Sequence, residues 1–397
     1  MIVKEKVVED ISIDNSQISV KTETKKRDIS VDLIRLFACL SVIGTHLCLQ
    51  VLNQAYNRID WGRLLEKSFF TDGVPLFFMI TGFFLANGRN YKKIWKSTIM
   101  KVLTPSIIYI LFSQIFYMFI VNKESIMWCL QNILTNLNIV QIFKGILTGN
   151  LTVINTLCDH LWYILSYVKI IIWIPVLWLV CKEEKSSKLA RRIIIAFGII
   201  ATVITDIKRF ITIPTIGAVK IFGLVDMELL YVLLGYELFV HKDKIKNNKK
   251  VFILSAIGFI IVNFIRYRIE MQYMVLNSYT NIVGRENFLG WQYTCLNIIS
   301  GLFIFTSIYS LEIKSEKISK IIIWLADKTF GIYLIHYLLI AKIDLYKFEK
   351  IERFYFEVLY LVIGIAVIFI SSLVIVLILR TIKEILLNCY KKVRNNL

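Results

Sequence analysis

The chain has 397 residues, 57% of them hydrophobic and only 19% charged, and an excess of basic over acidic groups gives a formal net charge of +18. Apolar runs long enough to cross about 30 Å of hydrocarbon recur along it, so a soluble globular fold is excluded, and their unbroken length excludes a membrane β-barrel. The basic residues are scattered over short polar segments rather than gathered on one face, which argues against a nucleic-acid partner.

Residues 1–30 are polar, without the apolar core or cleavage site of a signal peptide, and read as a disordered cytoplasmic tail. Ten membrane spans follow, at about 31–52, 70–88, 99–121, 160–181, 190–206, 219–240, 251–267, 289–310, 319–341 and 355–380. The expected fold is an all-α polytopic membrane protein, a bundle of about ten transmembrane helices over residues 31–380. A short basic cytoplasmic tail, 381–397, closes it. With the amino terminus placed inside, the inner segments carry 27 lysines and arginines and the outer ones 14. Positive-inside bias therefore puts both termini in the cytoplasm of a multi-pass cell-membrane protein. That bias accounts for most of the net charge, with attraction to anionic membrane lipid as a second contribution.

The first span carries the most costly residues. Arg35 and His46 lie eleven residues apart, which leaves them about 20° apart on one helix face with ~16 Å of rise between them. Asp32 lies close to the same stripe. Ionisable groups on a spanning helix are expensive in lipid, so this stripe is expected to face the bundle interior. Further along, Arg89, Lys92, Lys93, Lys96 and Lys101 form a basic run beside the third span. The outer loop 122–159 holds an apolar stretch expected to lie on the membrane surface, and Asn150-Leu-Thr152 fits a glycosylation sequon. There are seven cysteines and no C-x-x-C pair; Cys129 and Cys158 share this loop and are within reach of each other for a disulfide. No metal-ligand cluster, phosphate-cradling glycine loop or G-x-S-x-G elbow is present.

Only four histidines occur. His46, His160 and His336 come from distant segments yet fall at similar depth, middle to outer, whereas His241 opens a basic inner loop. An imidazole has a pKa near neutrality and suits abstraction of a hydroxyl proton. Its orienting acid is open among Asp159, Asp226 and Glu228. Arg35, permanently charged at the inner end, suits an anionic ligand approaching from the cytoplasm.

Asp32, Arg35 and His46 are followed in order by DGVPLFFMITGFFL at 72–85, Lys101-Val-Leu-Thr-Pro105, HLWYILSY at 160–167, LLYVLLGYEL at 229–238 and TFGIYLIH at 329–336. This series resembles acyltransferase family 3, the integral-membrane O-acyltransferases that modify cell-surface sugars. The V-P-L-F wording is similar to the branch that acetylates surface polysaccharides. The resemblance implies transfer of an acyl group, usually acetyl from cytoplasmic acetyl-CoA as co-substrate, to a hydroxyl of a surface polysaccharide or lipid-linked sugar. No permanently bound cofactor or metal is implied. Catalysis falls to His46, as base or transient acyl carrier, with His160, Tyr163, Tyr333 and His336 as supporting or oxyanion-stabilising groups. Arg35, Asp32, Lys96, Lys101 and Thr81 would form the donor site. Thr81 stands where the family usually has serine, and Ser97 and Thr98 stand where an arginine is common, with Lys96 as its expected substitute. The rival reading is a polysaccharide exporter or flippase without covalent chemistry, using Asp226 and Glu228 in a proton relay. The inverted repeats and broken helices common in transporters are not evident in the sequence.

Overall fold

A computed structural model describes residues 27–48, 52–53, 58–59, 61–85, 90–120, 125, 127, 156–211, 227–276, 294–340 and 354–395. The expected surface stretch, the Asn150 sequon, Cys129, Asp226 and nearly all of the amino-terminal tail lie outside these residues. Apart from a two-residue antiparallel ladder, Leu52–Asn53 with Arg58–Ile59, the described secondary structure is helical.

Helix α1 spans Ile29–Leu47, capped by Asp28, whose carboxylate accepts the Ser30 backbone N–H at 3.2 Å. Next come α2 (Trp61–Phe70), α3 (Gly73–Leu85) and α4 (Tyr91–Thr98), the last capped by Asn90. A π-helical turn, Ile99–Leu103, then leads into α5 (Thr104–Ile120). Pro105 explains the wide turn: lacking an N–H, it cannot close the ordinary bond to the Lys101 carbonyl, and Thr104 instead reaches back to Ile99 with both its N–H and its hydroxyl. A 3-10 turn, Thr156–Leu161, opens α6 (Trp162–Val180), followed by α7 (Lys185–Ile211) and α8 (Met227–Val240). After one turn at Lys242–Ile245 come α9 (Lys249–Leu276), α10 (Cys295–Tyr309), α11 (Glu316–Ala326), α12 (Thr329–Ile340) and α13 (Phe354–Asn395).

Among the described residues, six helical stretches are long and apolar enough to cross a membrane: Ile29–Leu47, Gly62–Leu85, Tyr91–Met118, Cys158–Val180, Lys249–Gln272 and Glu357–Cys389. Helices α10 and α12 are apolar but shorter. The outer helices display large apolar side chains such as Phe112, Trp173, Leu254, Ile257, Val362 and Ile370, the surface expected of a multi-pass protein in hydrocarbon. Several boundaries differ from the sequence expectation: the second span begins at Gly62 and the seventh, α9, runs on to Leu276. The ninth span, 319–341, is two helices broken at Asp327–Lys328. Helix α11 is amphipathic, setting Ile322 and Ala326 against Leu36 of α1 while Ile318, Ile321 and Trp324 stay exposed. The last helix does not stop at 380 but continues to Asn395.

Helix α1 is the hub, packing against α2, α3, α10, α11, α12 and α13. The closest pairing elsewhere joins α3 to α8. Gly82 on α3 lies against the backbone carbonyl of Val232, and Gly235 on α8 lies against that of Met79, so each glycine makes room for the other helix's main chain. This accounts for a glycine in each of the motifs at 72–85 and 229–238. Replacing Gly82 or Gly235 with alanine forces a methyl into backbone and is expected to cost about 1–3 kcal/mol, read as an earlier thermal transition of the detergent-solubilised protein. An unchanged transition contradicts the packing.

Candidate active site

The polar stripe of α1 is held at its Arg35 end by ion pairs. Asp32, 3% exposed, accepts from Arg35 at 2.8 Å and from Arg27, and Arg27 also reaches Asp327 at 2.9 Å. Its bond to Asp32 raises the Arg27 guanidinium above its ordinary pKa. Arg35 then faces a cavity of about 1000 Å³. Lys93, Ser97, Thr98 and Lys101 line one wall, and Thr81 and Phe77 come from α3. Tyr163 and Tyr167 enter from α6, Phe330 and Tyr333 from α12. The lining thus combines cations and hydroxyls with a wall of aromatic rings.

Beyond the aromatic wall lie the three histidines. His46 and His336 have ring centroids 5.3 Å apart, as do His160 and His336. Tyr337 bridges them, edge-on to His46 at 5.0 Å and stacked on His160 at 4.9 Å. Tyr109 meets His160 edge-on at 5.4 Å. His160 and His336 are 2% and 0% exposed, and His46 is somewhat less buried than either. The Nδ1 of His336 is 2.6 Å from the Tyr333 carbonyl, which can only accept; Nδ1 therefore carries the proton and Nε2 a lone pair. Tyr333 joins the two regions: it lines the cavity, and its hydroxyl donates to the His160 carbonyl.

A search of curated proteins and one of solved structures found no match to this chain. A family model does match, the acyltransferase domain of acyltransferase family 3, over residues 28–379. The chain belongs to acyltransferase family 3. It is a membrane acyltransferase, and its cavity and histidine cluster are built largely from the stretches that carry the resemblance.

In this acyltransferase the structure brings together most of the expected site residues. Arg35, Thr81, Lys101 and Tyr333 share the cavity, and His46, His160 and His336 form one cluster. Two residues expected at the donor site lie outside this cavity. Asp32 does not line the cavity; it positions Arg35 from behind. Lys96 lines a separate shallow recess with Trp95 and Ile99, while Lys93 and Ser97 take the place expected for it. Helical periodicity counted back from Lys101 finds that wall, since 90, 93/94 and 97/98 fall on its face and 96 does not. Of the candidate orienting acids, Glu228 is engaged by Ser166 at 3.0 Å and Lys169 at 3.4 Å. The oriented ring instead is His336, held by a backbone carbonyl. Cys158 is buried, its Sγ 3.2 Å from the Ser113 hydroxyl.

Sequence reading missed one buried network. Arg266, expected at the start of an outer loop, is 1% exposed. It pairs with Asp72 at 3.6 Å and donates to Ser68 O at 2.9 Å, to Asn263 at 2.8 Å and to Thr71. Asp72 also accepts from Ser300 at 2.5 Å and Asn297 at 3.3 Å. These contacts tie the α2–α3 elbow to α9 and α10. Its sequence signal was an aspartate at the head of the V-P-L-F motif, inside an apolar stretch and in need of a cation. Asp72→Asn leaves a buried guanidinium without its counter-charge and is expected to cost about 3–5 kcal/mol. Adding Arg266→Met should restore much of that stability in thermal unfolding; a double variant as unstable as the single one contradicts the pairing.

Proposed function

We propose that this protein carries an acyl group, in the first place acetyl, from cytoplasmic acyl-CoA across the membrane to a sugar hydroxyl of a surface polysaccharide or its lipid-linked precursor. Both termini then lie in the cytoplasm, with Arg35 on the donor side and His46 on the acceptor side. The observation that carries this reading is the continuity between a cationic cavity and a histidine cluster through the single side chain of Tyr333. Arg35, Lys93 and Lys101 suit the phosphates of coenzyme A, and the long, narrow arm bearing the thioester extends along the aromatic wall toward His46.

In this mechanism His46 takes the proton from the acceptor hydroxyl as its oxygen attacks the thioester carbonyl carbon. The C–S bond breaks, the ester forms, and the proton passes from the imidazole to the departing thiolate, leaving free coenzyme A. The Tyr333 hydroxyl is committed to the His160 carbonyl, which leaves Tyr163, whose ring lines the cavity, as the candidate donor to the oxyanion. In a two-step variant His46 is acylated first and passes the group on.

Mass spectrometry of surface glycans from cells with and without the chain tests the reaction. Loss of an acyl increment on an otherwise intact polymer is expected; loss of the whole polymer contradicts the proposal in favour of export. His46→Ala should lower transfer at least about 100-fold, as expected for loss of a general base. Arg35→Ala should weaken acetyl-CoA binding about tenfold in titration calorimetry, the order of one lost charge-assisted contact.

A further inference from the structure

We infer that the aromatic wall between the cavity and the histidines is a rigid neck that selects the acyl group by length, admitting short chains and refusing long ones. The inference rests on the donor reading above.

Phe77, Tyr163, Phe330 and Tyr333 all line the cavity. They are packed on one another: Phe77 and Tyr163 at 5.8 Å between centroids, Tyr163 and Tyr333 at 5.7 Å, Phe330 and Tyr333 at 6.2 Å and nearly parallel. Separations of this order are van der Waals contact between rings. Tyr163 is backed by Phe78, at 5.0 Å and 1% exposed.

The far side of the neck is also lined by packed rings. Tyr333, 5% exposed, has its ring 5.3 Å from His160 and 5.7 Å from His336. Its hydroxyl is tied to the His160 carbonyl, and its own carbonyl to His336 Nδ1 at 2.6 Å. A side chain fixed at its tip, its ring and its backbone cannot swing aside for a bulky group, so selection is steric.

The sequence places these residues deliberately along two helices. On α12, Phe330, Tyr333 and His336 succeed one another at intervals of three, so cavity, neck and histidine lie in consecutive turns. From the 3-10 turn into α6 the same order runs in reverse as His160, Tyr163, Tyr167. An acyl chain of two or three carbons is short enough to lie along such a wall without pressing on the packed rings beyond it. Each further methylene must displace an aromatic side chain that has nowhere to go.

The test uses the full-length protein in detergent and titration with coenzyme A, acetyl-CoA, butyryl-CoA and hexanoyl-CoA. In the wild-type protein acetyl-CoA should bind at least about tenfold tighter than hexanoyl-CoA, the discrimination a few methylenes give in a closed site. The quantity read is the hexanoyl-to-acetyl affinity ratio within each protein, so any general weakening cancels. Phe77→Ala should shift that ratio at least about fivefold toward hexanoyl-CoA, because it opens space on the cavity side of the neck. Phe330→Leu provides the same comparison if Phe77→Ala does not fold. Equal affinities in the wild type, or a ratio unmoved by either variant, overturn the neck while leaving the donor site standing. Failure of coenzyme A and every thioester to bind the wild type overturns both.

Discussion

The structure is organised by the cost of keeping charged and polar groups inside hydrocarbon. Helix α1 carries Asp32, Arg35, Ser41, Thr45 and His46 within nineteen residues, and lipid offers none of them a partner. The helix therefore sits at the hub, with six others around it, and its charged groups are met from inside the protein. Asp32 answers Arg35, and the Thr45 hydroxyl bonds the Phe70 carbonyl at 2.7 Å. The same constraint explains the Asp72–Arg266 network, in which two buried charges share five polar neighbours.

Around this hub, two departures from regular helix help to form the cavity. Pro105 forces the π turn at Ile99–Leu103, which presents Lys101 beside Ser97 and Thr98. The break at Asp327–Lys328 turns an amphipathic α11 into an apolar α12, so that Thr329, Phe330 and Tyr333 enter the site in sequence. A single straight span at 319–341 would have had to place Asp327 and Lys328 in hydrocarbon.

Much of this was legible in the residues. The helical membrane class followed from composition, and the gathering of His46, His160 and His336 followed from their common depth. Arg35 facing inward followed from the price of a cation in lipid. What was not legible depended on contacts between distant segments. Lys96 was favoured because it is basic and adjacent in sequence, but facing is set by the helical period and the π turn, which select Lys93. Asp32 looked like part of the ligand site until its bonds to Arg27 and Arg35 showed it to be the anchor. Arg266 lay near a span end, where a cation needs no partner, and only packing revealed Asp72 opposite it. The glycines at 82 and 235 were visible as motif letters, but their reciprocity requires both helices in place.

The central claim is that one chain joins a donor on one membrane face to an acceptor on the other. Oriented vesicles test it most directly, with radiolabelled acetyl-CoA confined to the Arg35 side and glycan from cells lacking this chain on the His46 side. The account predicts label on the glycan with this arrangement and none when the two are exchanged. Label that reaches glycan only when both share one face, or glycan that crosses the bilayer unlabelled, would contradict it.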